Sequence, residues 1–251
     1  MKTEVKPKST LKSDIQHRKA ILSRPWARLV EIVLIFTVGL GLIQLLLPLA
    51  GDQAVLKQLV VWTANILMLL LIGTGMRLRG DRLQDWGIAF RPLGLAQFFR
   101  KILQSLGIFI LATLAFVLAS VVMANITEIP ESADMSDYAY MQDNLPMLLL
   151  TLLGVWIVSS FGEEVIYRAY LINQLLNIGI VGKVANGIAV LISAIIFGLI
   201  HYEWGAMGMA QTTAMGLVLG IFYLRLGKKL LPLVLAHAYM DTLLMLQMYF
   251  A

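Results

Sequence analysis

FGEEVIYRAYL, residues 161–171, sets two adjacent acids and an arginine, Glu163, Glu164 and Arg168, into a segment that is otherwise almost wholly apolar. An ionised side chain at the middle of a bilayer costs roughly 2.5–3.5 kcal/mol on insertion scales, so charge in such a segment implies buried partners, a water-filled cavity, or both. Two other apolar stretches carry residues of a matching kind. Phe197 and His201 lie four apart in FGLIH, and His237 and Asp241 lie four apart in HAYMD. At 3.6 residues per turn, a spacing of four puts each pair on one helical face.

The surrounding chain says what kind of medium these charges sit in. Hydrophobic residues make up 59% of the 251 residues, charged ones only 14%, and the mean hydropathy is +0.80. That is outside the range of soluble domains and matches repeated apolar runs of bilayer-spanning length. The sequence predicts an all-α, polytopic transmembrane helical bundle with seven spans at about 29–50, 55–76, 102–124, 146–170, 184–203, 207–225 and 231–250. Residues 1–28 read as a basic, flexible tail with eight Lys or Arg, and 29–251 as a single membrane domain. The first run ends without a small-residue cleavage site, which favours an uncleaved span over a signal peptide.

Charge sets the expected orientation. The segment 77–101 carries six basic residues, whereas 125–144 carries none and holds Glu128, Glu131, Asp134, Asp137 and Asp143. By the positive-inside rule the N-terminal tail is cytoplasmic and the C-terminus faces outward, in a multi-pass protein expected in the plasma membrane. Basic residues so placed are explained by orientation, so the net charge of +5 gives no reason to invoke nucleic acid. Tyr138, Tyr140, Tyr202, Trp204 and Tyr249 fit interfacial anchors near the outer leaflet. Cysteine is absent, which excludes a disulfide or a thiolate metal site.

Successive side chains on an α-helix diverge by about 100°, so Glu163 and Glu164 are not expected to face one centre and should differ in role. Glu164 and Arg168 are spaced i, i+4 with the acid first, the favoured order for an intrahelical ion pair, and read most simply as structural glue. Glu163 is left as the working carboxylate. His201 and His237, the histidines outside the tail, add two imidazoles, and Asp241 a further acceptor. A carboxylate with two imidazoles in an apolar setting is a hydrolytic inventory with water as nucleophile. Ser159, Ser160 and Ser193 lie beside no comparably placed base in sequence, and Phe197 reads as core packing.

GEEVIYR resembles the EExxxR motif, FGLIH the FxxxH motif and HAYMD the HxxxN motif of the CPBP intramembrane proteases, the group containing the type II CAAX prenyl endopeptidases. The three occur in the family's order over about residues 145–245. The resemblance implies a membrane-embedded peptidase acting on a peptide or membrane-protein substrate. In it Glu163 activates water, His201 shares in proton transfer or positions the water, and His237 with the residue four later stabilises the oxyanion. Glu164, Arg168 and Phe197 would support them. The last motif position departs from the family's Asn. An ionised Asp241 would repel an oxyanion, so it must be protonated, orient His237 or ligate a metal.

Two readings stand beside the glutamate-activated water. Two His plus carboxylates, here Glu163, His201, His237 and Asp241, also suit Zn²⁺, although neither pair has the tight HExxH spacing. A non-catalytic membrane scaffold or regulator would keep the motifs for stability, and a proton-relay transporter is a third, weaker reading because no inverted repeat is visible. Any shared site also sets a geometric condition. Plain membrane crossings would leave His201 near the far end of its span and away from Glu163 and His237. Convergence requires the fourth helix to run on through Arg168 and the fifth to be shifted or to end inside the bilayer, with residues 201–208 lining a cavity.

Overall fold

The computed structural model describes residues 8–88, 92–127, 136–179 and 182–251. Among these the chain contains no strand. Helices of bilayer length are Pro25–Ala50 (α2), Ala54–Arg79 (α3), Leu95–Thr127 (α4), Leu145–Leu176 (α5), Gly205–Arg225 (α7) and Leu231–Phe250 (α8), with the shorter Lys183–Leu199 (α6) between α5 and α7. The chain is a polytopic helical bundle and a multi-pass membrane protein. Its lipid-facing surface is what a bilayer demands: Leu29, Val33, Leu103, Leu114, Leu118 and Leu149 are all exposed.

Two expected boundaries change. Lys8–Leu22 is helical (α1), where a flexible tail was expected. Its Lys, Leu, Gln and Ala are good helix formers, and the turn at Ser23 and Arg24 before Pro25 separates it from α2. The span expected at 184–203 stops at Leu199, and Ile200 to Trp204 form a tight turn into α7. Gly205, with φ of 71°, closes that turn in the left-handed region.

Side-chain contacts define two ends of the bundle. At one end Arg28 of α2 donates to Gln174 of α5, and Arg79 of α3 pairs with Glu31 of α2. There too the Tyr223 hydroxyl donates to the Trp86 carbonyl at 3.1 Å, and Lys228 Nζ to Asn173 Oδ1 at 2.5 Å. Gly87 has φ of 82°, and a Cβ on it would strike the Lys228 backbone carbonyl, so the 83–88 turn can dock there only as glycine. At the opposite end Lys57 pairs with Asp137 at 2.9 Å, and the Asp143 amide donates to the Tyr249 carbonyl at 3.2 Å. Arg28, Arg79 and Lys228 lie at the first end, and Lys57 at the other; Glu128, Glu131 and Asp134 lie outside the described residues.

α6 and α7 form a close hairpin whose fit depends on Gly198. A Cβ there would meet Thr213 Oγ1 and lie 2.6 Å from the Met209 carbonyl oxygen, a backbone atom that cannot swing aside. Gly198→Ala is therefore expected to destabilise by about 1–3 kcal/mol. Gly187→Ala, with nothing within 4 Å, is expected to be neutral or mildly stabilising. Melting in detergent checks both, and equal stability of the two variants would show that the hairpin is not closely packed at residue 198.

Candidate active site

α5 places the acids. It continues unbroken through Arg168 to Leu176, so that Glu163 stands well inside the helix, away from both its ends. From Val155 to Phe161, and again from Glu164 to Ile172, the backbone hydrogen bonds widen to the π-helical pattern. Such widened turns are rare and recur at functional sites. More residues per turn also narrow the angle between neighbouring side chains. That corrects the expectation that Glu163 and Glu164 cannot share a centre: they approach the two nitrogens of one imidazole. His237 Nδ1 lies 3.0 Å from Glu164 Oε1, and its Nε2 lies 3.9 Å from Glu163 Oε2.

Each partner on that imidazole has a chemical consequence. Nδ1–H is donated to Glu164, because a carboxylate oxygen only accepts. Nε2 therefore carries whatever His237 offers to the cavity, and it stands 3.7 Å from Asp241 Oδ2 as well. Glu164 is fully buried and also pairs with Arg168, whose Nη1 is 2.8 Å from the same Oε1. It thus links the arginine to the histidine in addition to the ion pair expected from its spacing. The Arg168 guanidinium lies 4.4 Å over the Phe197 ring, a cation–π contact away from water.

Phe197 is 1% exposed and does not line the cavity; its ring is the hub of an aromatic stack. Its centroid is 5.1 Å from Tyr167, 5.0 Å from His201 and 5.9 Å from His237. Its carbonyl accepts from His201 Nδ1 at 2.7 Å, across the end of α6. That bond settles the tautomer of the neutral ring, leaving Nε2 of His201 as an acceptor. Trp204 packs on the other side of His201 at 4.8 Å.

Glu163, His201, His237 and Asp241, drawn from α5, the 200–204 turn and α8, all line one cavity of about 390 Å³. Tyr138, Tyr202 and Trp204 line it too, so these aromatics do not serve only as interfacial anchors. Two further residues belong to the site. Ser160, fully buried, donates to Asp241 Oδ2 at 2.6 Å. Asn65 of α3, 6% exposed, points its Nδ2 at Glu163 Oε1 across 3.5 Å. Asn65 is an amide in the middle of an apolar span, and that alone was a signal in the sequence. Ser193 instead donates to the Tyr167 carbonyl at 2.8 Å and is structural.

Nδ1 of His201 and of His237 is held by a carbonyl and a carboxylate, the contacts that a metal-binding imidazole also makes, and these leave Nε2 to the cavity. Among the described residues no group of three or more His, Asp or Glu is placed to hold a metal ion. No step below is routed through one.

No curated protein and no solved structure matches the chain. Residues 145–243, the segment that carries all three motifs, match the family model described as Type II CAAX prenyl endopeptidase Rce1-like, and over that segment the resemblance to the CPBP intramembrane proteases holds.

Proposed function

We propose that this protein is an intramembrane endopeptidase that hydrolyses a peptide bond with water activated by Glu163. The observation that carries the reading is the meeting of Glu163, His201, His237 and Asp241, three segments apart in sequence, on one cavity inside the bundle. Glu163 takes a proton from water as the water oxygen attacks the substrate carbonyl. His201 Nε2 accepts from the second water hydrogen and aligns the attack. The carbonyl oxygen becomes an oxyanion, which His237 stabilises as the imidazolium by donating Nε2–H, its Nδ1–H staying on Glu164. Collapse breaks the C–N bond, and the proton held by Glu163 passes to the leaving nitrogen, giving a carboxylic acid and an amine. Membrane lipid surrounds the bundle, the basic end faces the cytoplasm and the C-terminus outward.

Asp241 stabilises an oxyanion only as the protonated acid; its bond from Ser160 otherwise makes it a support for His237. The neutral amide donor missing at that position is supplied by Asn65, which borders the same cavity from α3. Asn65→Leu is expected to lower kcat by about 10²-fold, the order seen when one oxyanion donor is removed, with little change in KM. Rates on a peptide substrate in proteoliposomes check this, and an unchanged kcat would remove Asn65 from the chemistry.

The reading itself is tested by comparing the termini of membrane-protein fragments in cells with the wild type, a deletion, or Glu163→Gln at equal expression. Fragments present only with the wild type establish a Glu163-dependent protease. A Glu163→Gln strain that restores every property lost in the deletion, with unchanged termini, would favour a scaffold that keeps the motif for the buried Glu164–Arg168–His237 linkage.

A further inference from the structure

Resting on the peptidase reading, we propose that the substrate reaches Glu163 as an extended chain from the end of the bundle opposite the basic tail. Its scissile segment then belongs to an exported or outward-facing polypeptide. The course of the cavity carries this. Along α3 its wall is Ala54, Lys57, Gln58, Val61, Asn65 and Met68, spaced three or four apart on one face. From Ala54 to Met68 this stripe is about 21 Å long at 1.5 Å per residue. A strand rising about 3.3 Å per residue would place roughly six residues along it.

The stripe is graded. Ala54, Lys57, Gln58 and Val61 are partly exposed, whereas Asn65 and Met68 are buried. Beyond Met68 the interior is filled: Ile35, Ile72, Met76 and Tyr170 are buried, Arg79 pairs with Glu31, and Trp86 stacks 5.7 Å from Tyr170. Among the described residues none that lines this cavity comes from that end, where a separate pocket is lined by Leu176, Asn186 and Lys228. At the other end the wall reaches the surface. The Lys57–Asp137 pair there has side chains 28% and 42% exposed, and Tyr202 and Glu203 beside it are exposed. Asp137 and Glu203 outnumber Lys57 at this rim, which favours a neutral or basic segment over an acidic one. The positive-inside rule places the rim on the outer side.

The absence of cysteine makes the test clean, because each introduced thiol is the only one in the chain. Gln58→Cys and Val61→Cys report the cavity wall, Ser23→Cys the basic end and Asp52→Cys the opposite end. Each is treated with a membrane-impermeant, positively charged methanethiosulfonate in intact expressing bacteria and in inverted vesicles, with folding checked by gel filtration in detergent. The expected result is that at least one wall thiol reacts from the side that modifies Asp52→Cys and not from the side that modifies Ser23→Cys. Reaction of both wall thiols only from the Ser23 side, or from neither side, overturns the proposal.

The cleaved bonds give a second readout. Those that depend on Glu163 are expected in segments on the Asp52 side, and bonds confined to the other side overturn the substrate assignment. If no Glu163-dependent cleavage exists, the peptidase reading falls and the substrate falls with it. The thiol pattern, which needs no turnover, then still reports where the cavity opens, so the two failures are told apart.

Discussion

Glu163→Gln is expected to lower cleavage by about 10²–10⁴-fold, the range that a positioned general base supplies, while the protein still folds. The amide keeps the size of the carboxylate and can hold Asn65 and a water, but it cannot take the proton. Little stability should be lost, because Glu163 makes no close ion pair: its nearest approach to His237 is 3.9 Å, and its contact with Asn65 is a long 3.5 Å. Single-turnover rates in proteoliposomes measure the effect, with melting in detergent run alongside. Retained cleavage in a folded Glu163→Gln protein would move the base to another residue.

Arg168→Met should act the opposite way, on folding before chemistry. Arg168 and Glu164 are 1% and 0% exposed, so solvent does little to screen their 2.8 Å contact. Removing one member of such a pair leaves a buried charge without its counter-ion, at about 3–5 kcal/mol. Here the orphaned Glu164 also holds His237, so the surviving protein should be slow as well as unstable. The double variant Glu164→Gln with Arg168→Met is expected to regain part of the lost stability, since no net charge stays buried, without regaining activity. Melting temperatures of the two variants check this. A single variant as stable as the wild type would show that the ion pair does not hold the bundle together.

Much of this protein was legible in one dimension because the bilayer imposes simple rules. Apolar runs must be helices of spanning length, so the bundle and the approximate positions of α2 to α5, α7 and α8 follow from hydropathy. Charge within such runs is costly, so Glu163, Glu164, Arg168, His201, His237 and Asp241 stand out, and four-residue spacing pairs Glu164 with Arg168.

What periodicity could not decide is depth and direction between helices. Only the early stop of α6 at Leu199 and the long run of α5 bring His201 to the cavity that holds Glu163. The widened turns that flank Glu163, and the approach of both acids to His237, were not legible, because a sequence does not state where backbone hydrogen bonding slips by one residue. Asn65 and Ser160 entered the site through contacts across 98 and 81 residues of chain, which no local pattern encodes. Composition and spacing determined the medium, the helices and the reactive inventory. Tertiary packing decided which groups share a cavity and at which end it opens, since both depend on how helices of unequal length are stacked.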